Sequence, residues 1–123
     1  MNFKQLSSIA EQVVAAARRR LPAEVRAAAD AVPVCHEPHP GAALLSEDLE
    51  PDILGLFVGH ERHGELAEAQ PLPPQILLFL ENIWDYAEGD EAVYRDEVRL
   101  TYLHELGHYL GWDEDELARR GLE

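Results

Sequence analysis

Cysteine, methionine, positive charge and long apolar runs are all scarce in this chain of 123 residues. Cys35 is the only cysteine, so no disulfide forms within the chain and no zinc finger built on several thiolates is available. A lone thiol also suits a reducing compartment. Ten basic residues stand against 24 acidic ones, for a net charge of −14. That balance argues against nucleic acid and anionic membrane as partners, because both are bound through basic patches. The uncharged stretch from Gln70 to Leu80 is too short to span a bilayer and contains Pro71, Pro73 and Pro74. Near the N-terminus, Glu11 and the run Arg18, Arg19, Arg20 break any signal-peptide plan, so a cytoplasmic protein is expected.

What remains is ordinary for a globular protein: 46% hydrophobic and 28% charged residues. The length suggests one domain over residues 1–123, large enough to bury a core without staples. Phe3, Leu6, Ala10, Val13, Val14, Ala17 and Leu21 recur at helical spacing and predict a first amphipathic helix that ends near Pro22. Ala23 to Ala31 reads as a second helical piece. Val32 to His36 reads as a short strand, with Pro33 favouring a sheet edge. Pro38, Pro40 and Gly41 follow as a loop. Ile53 to Val58 is a second strand, and Gly59 to Pro74 a long polar loop. Gln75 to Leu80 is a third strand, apolar enough to be buried on both faces. Ile83 to Gly89 reads as a connection.

The main helix is expected to start at Asp90, an N-cap, and to run to Gly111, which can close it in the left-handed conformation. Within it lies His104-Glu105-Leu106-Gly107-His108. A spacing of four residues is about 1.1 helical turns, so the two imidazoles leave one face together and can share a metal ion. Leu103, Leu106 and Leu110 form a stripe on the other side, expected to face the core. Asp113 should cap a last short helix, paired with Glu116 and ended by Gly121. Zinc is the expected metal, since two imidazoles and a carboxylate form a catalytic ligand set that leaves one position to water. Zinc lowers the pKa of such a water to roughly 7 from about 15.7. Glu105 is placed to take its proton and return it to a leaving amine, which makes amide hydrolysis the expected reaction. The first choice for third ligand is Glu114, because Gly111 lets the chain swing back. Asp113 and Asp115 stay open as alternatives, and all three acids also suit a helix N-terminus.

The string from Val98 to Leu117, VRLTYLHELGHYLGWDEDEL, resembles the small bacterial zincin-like proteins known as minimal metallopeptidases. The likeness extends to Leu54-Gly55-Leu56-Phe57 and to the proline-led strand from Gln75 to Leu80. It implies a compact α+β domain in which a small mixed sheet packs with an N-terminal helix and the motif helix. It also implies zinc at His104 and His108, Glu105 as catalytic base and an acidic third ligand near Glu114. The ligand spacing is similar to that of metzincins. Glu114 stands where those have a histidine, and with Met1 as the only methionine there is no downstream methionine turn.

Other residues carry weaker signals. Glu97 and Thr101 share the histidine face, and Glu97 could orient a ligand imidazole, although a solvated helix face is the simpler reading. Tyr102 and Tyr109 could donate to an oxyanion, but read more simply as packing aromatics. Cys35, His36 and His39 cluster in sequence among prolines, with little to make them a second metal site. His60 and His63 fall in the long loop. An edge strand beside that loop could take an extended peptide by strand addition. The expected function is therefore a zinc-dependent peptidase acting on peptides or unstructured protein. The acids after the motif favour neutral or cationic substrates over acidic ones. A zinc-binding interaction module with little hydrolysis is the alternative. A monomer is compatible with the sequence, which leaves the oligomeric state open.

Overall fold

The computed structural model describes residues 1–46, 49–59 and 73–120. Among them are six helices and one three-stranded sheet. Helix α1 (Phe3–Arg19) starts with a reciprocal cap. The Asn2 side chain accepts from the Gln5 amide at 2.8 Å, and the Gln5 side chain accepts from the Asn2 amide at 2.9 Å. Its buried stripe is Leu6, Ile9, Ala10, Val14 and Ala17, at the spacing that the sequence shows. Pro22 separates it from α2 (Ala23–Asp30).

Strand β1 (Val34–Glu37) follows, then a single turn α3 (Ala42–Leu45), β2 (Gly55–Val58) and β3 (Gln75–Phe79). The order in the sheet is β1-β3-β2, with β1 parallel and β2 antiparallel to β3. This is the small mixed sheet of the expected α+β fold. Pro33 sits just before the edge strand β1, where its missing amide costs nothing and its carbonyl still accepts from Ile76 at 3.0 Å. The central strand buries Ile76, Leu78 and Phe79 completely.

Two segments differ from the sequence reading. Leu80 to Tyr86 is helix α4, not a strand end and a connection. Leu80, Ile83 and Ala87 are all buried and spaced three and four apart, so one helical face of this segment enters the core. Ala42 to Leu45, unassigned in the sequence reading after the loop at Pro38, Pro40 and Gly41, is a helical turn. Residues 60–72 of the long loop, with His60 and His63, and the helix end at Gly121 lie outside the described residues.

Helix α5 (Glu91–Leu110) carries the motif, and α6 (Glu114–Arg119) follows it. Asp90 caps α5 by accepting from the Val93 amide at 3.0 Å. Tyr94, Val98, Tyr102, Leu103 and Leu106 join α1 and the sheet in one core cluster. Tyr94 is fully buried, and its hydroxyl donates to the Leu6 carbonyl at 2.9 Å. Tyr102 is equally buried and accepts from Arg18 Nε at 3.0 Å, while the Arg18 guanidinium also donates to the Val32 carbonyl. Burial raises the pKa of both phenols above the ordinary tyrosine value, so both hydroxyls stay protonated. No helix among the described residues is long and apolar enough to cross a membrane.

Candidate metal centre

Gly111 ends α5 with φ 75°, the left-handed conformation expected of it. The Trp112 amide donates to the Gly107 carbonyl at 2.8 Å and the Gly111 amide to the His108 carbonyl at 3.2 Å. These are the paired bonds of a Schellman turn, which reverses the chain within one residue. Asp113 then caps α6 by accepting from the Glu116 amide at 2.9 Å. Glu116 does not complete the expected reciprocal cap. Its carboxylate is held instead by Arg120, at 2.7 Å, and Arg119. The Arg120 hydrogen bond is the main reason that its carboxyl lies below the ordinary glutamate range. Arg120 also stacks on Trp112, 3.9 Å from the ring centre.

This turn folds α6 back over α5. Gly107 makes the close approach possible: a Cβ there would lie 2.9 Å from Leu117 Cδ1. The result brings Glu114 beside the motif, with its Oε1 3.8 Å from His104 Nδ1. The His104 and His108 rings lie 4.7 Å apart between centroids. Glu105 projects towards both, with Oε1 3.4 Å from His108 Nδ1 and Oε2 4.0 Å from His104 Nε2. The side chain of Glu105 is only 9% exposed, whereas His104 is 40% and His108 51% exposed. The imidazoles therefore stand at an open surface, while the carboxylate lies beneath them against protein.

A cleft of about 610 Å³ opens at this point. His104, Glu105 and Glu114 line one part of it, and Thr101, Leu100, Gly55, Leu54, Ile53 and Leu117 the rest. Of the three acids considered after the motif, Glu114 lines the cleft, and Asp113 is occupied as a cap. Among the described residues no three His, Cys, Asp or Glu side chains converge as a finished ion cage. The donor set of His104, His108 and Glu114 nevertheless fits zinc in its chemistry, with two imidazole nitrogens and one carboxylate on adjoining elements.

The remaining candidates divide clearly. Thr101 is buried and lines the cleft. Glu97 is half-buried on α5 and makes no hydrogen bond to either histidine. Tyr102 is a core residue tied to Arg18, and Tyr109 packs its ring on Phe57 at 5.8 Å. Cys35 donates to Gln75 Oε1 at 3.2 Å, and His36 is held below its ordinary pKa by burial, partly offset by Glu11.

Gly55 is the residue that motif reading overlooked. A Cβ there would meet Thr101 Cγ2 at 2.6 Å and Glu105 Cγ at 3.4 Å. The signal was present in the sequence as a glycine inside an apolar strand, which marks a place where another element comes close. Strand β2 thus lies directly on the motif helix. Its partner on one side is β3, and its other edge pairs with no strand among the described residues. The Phe79 amide donates to the Leu54 carbonyl at 2.9 Å. Antiparallel alternation then turns the main-chain groups of Gly55 and Phe57 away from β3.

The family model for zincin-like metallopeptidases matches residues 29–122. A search of curated proteins gives no match.

Proposed function

This chain belongs to the zincin-like metallopeptidase family, and from that premise we propose that it is a zinc-dependent peptidase with Glu105 as its catalytic base. The observation that carries this reading is the buried Glu105 carboxylate, flanked by the half-exposed imidazoles of His104 and His108, with His104 and Glu105 lining a cleft. His104, His108 and Glu114 would hold the zinc. When bound, that ion supplies a Lewis acid that polarises the substrate carbonyl and acidifies water.

The protein's own groups do the rest. Glu105 accepts the proton of the attacking water at a carboxylate oxygen and later delivers it to the nitrogen of the leaving amine. Its burial supports this role, because a carboxylate shielded from bulk water keeps a fixed direction and meets little competing solvent. The edge of β2 that no described strand covers offers the amides and carbonyls of Gly55 and Phe57 to an extended peptide, which makes unstructured peptide the proposed substrate.

Glu105→Gln tests the reading. Zinc content should stay at that of the unaltered protein, while cleavage of a mixed fluorogenic peptide library should fall by about 10²- to 10⁴-fold. Unchanged cleavage in Glu105→Gln would remove Glu105 from the mechanism. Absence of cleavage in the zinc-loaded, unaltered protein would leave a binding module.

A further inference from the structure

We infer that the cleft selects a medium-sized apolar side chain next to the bond that is cut, through an aliphatic pocket formed by Ile53, Leu54, Leu100 and Leu117. This inference rests on the peptidase reading for what the pocket serves, but not for its existence. The cleft volume of about 610 Å³ lies within the usual range of small-molecule sites, roughly 300 to 1,000 Å³. It therefore has room for a whole side chain beyond the reacting groups.

The lining is chemically uneven. Its ionisable members, His104, Glu105 and Glu114, are the groups that the proposed reaction already uses. Among the described residues, every other side chain in it is aliphatic except that of Thr101, and Gly55 has none. Leu100 precedes His104 by one helical turn, so it extends the histidine face of α5 with an apolar surface. Leu117 is only 5% exposed and pinned against Gly107, which makes it a fixed part of the lining. The close approach of Gly55 to Thr101 packs β2 directly on α5, so strand and helix together form one wall of the cleft.

An extended peptide laid along the edge of β2 that no described strand covers presents alternate side chains towards and away from the helix. A residue on one side or the other of the bond presented to Glu105 then directs its side chain into the aliphatic part. A charged side chain there would lose water among aliphatic neighbours, whereas an isobutyl or benzyl group would bury its surface.

The test uses blocked hexapeptides that differ at one central position: leucine, phenylalanine, serine, lysine or aspartate. Binding is measured by calorimetry on zinc-loaded Glu105→Gln, and cleavage on the zinc-loaded, unaltered protein. Leucine and phenylalanine peptides should bind at least about tenfold more tightly than the serine and aspartate ones. Leu100→Arg should erase that preference, while Leu100→Met, which conserves volume, should keep it. Equal binding of all five, a preference for lysine, a preference that survives Leu100→Arg, or no binding at all overturns the pocket. Selective binding without cleavage supports the pocket and overturns hydrolysis. Cleavage without selectivity does the reverse.

Discussion

Leu117 rests on the bare backbone of Gly107, so closely that an added Cβ would lie 2.9 Å from its Cδ1 and 3.1 Å from its Cδ2. This contact packs α6 on α5 and so keeps Glu114 beside His104. Two effects compete in Gly107→Ala. The helix gains about 1 kcal/mol from replacing a mid-helix glycine, while the methyl pushes on the mobile end of a leucine. Stability of the metal-free protein should change by less than about 1 kcal/mol. Gly107→Val cannot be absorbed in the same way and should cost about 1–3 kcal/mol. In both variants zinc affinity should fall as α6 moves. Thermal melting without metal and zinc titration read the two effects separately, and a valine variant unchanged in both would show that α6 does not depend on this contact.

Gly55→Ala places a methyl against Thr101 Cγ2 at 2.6 Å and the Leu77 carbonyl at 3.1 Å. A loss of about 1–3 kcal/mol is expected. Thr101→Ser deletes the obstructing methyl and keeps the hydroxyl, so the double variant should recover most of that loss. Urea unfolding of both single variants and the pair forms a complete cycle. Simple addition of the two effects would refute the contact.

His104→Ala and His108→Ala should each abolish tight zinc binding, from about one ion per chain to none. Glu114→Ala should weaken binding by about 10- to 100-fold but retain measurable uptake, because two imidazoles remain. Elemental analysis after gel filtration settles the first pair, and competition with a chromophoric chelator the third. Full zinc retention in Glu114→Ala would reassign the third ligand.

His36 gives a pH dependence with a defined sign. Burial lowers its folded pKa from 6.5, with Glu11 opposing. The unfolded chain therefore takes up the proton first as pH falls. The contribution of His36 to stability is intact above 6.5 and is lost as pH drops through the folded value. His36→Gln should flatten that part of the profile. Denaturant unfolding of metal-free protein at about pH 7.5 and 5.5 shows it, the difference between variant and parent being the quantity to read. Parallel profiles would mean that the imidazole titrates alike in both states.

Much of the site was legible because it lies in one helix and the turn after it. The spacing of His104 and His108, the cap at Asp90 and the left-handed Gly111 follow from local rules, and each appears at its expected place. The part that was not legible depends on elements far apart in sequence. Gly55 gains its meaning from Thr101, across the sheet-helix contact. Helix α4 was hidden because the apolar run of β3 continues unbroken into Leu80, so the change from a two-residue to a helical period has no punctuation. The reciprocal cap expected between Asp113 and Glu116 is half formed, since two arginines in the last turn compete for the glutamate.

The family match begins at residue 29 and so omits α1, yet α1 shares one packed core with the motif helix. The demands on it are mostly generic. Tyr94 asks for a main-chain oxygen at Leu6, which any residue supplies, and the rest of the contact asks for volume. Arg18, bonded to Tyr102, is the part that requires a particular side chain. A helix bound by such loose terms can exchange nearly all its letters and still do its work. The family match therefore stops short of α1 at a place where the packing does not.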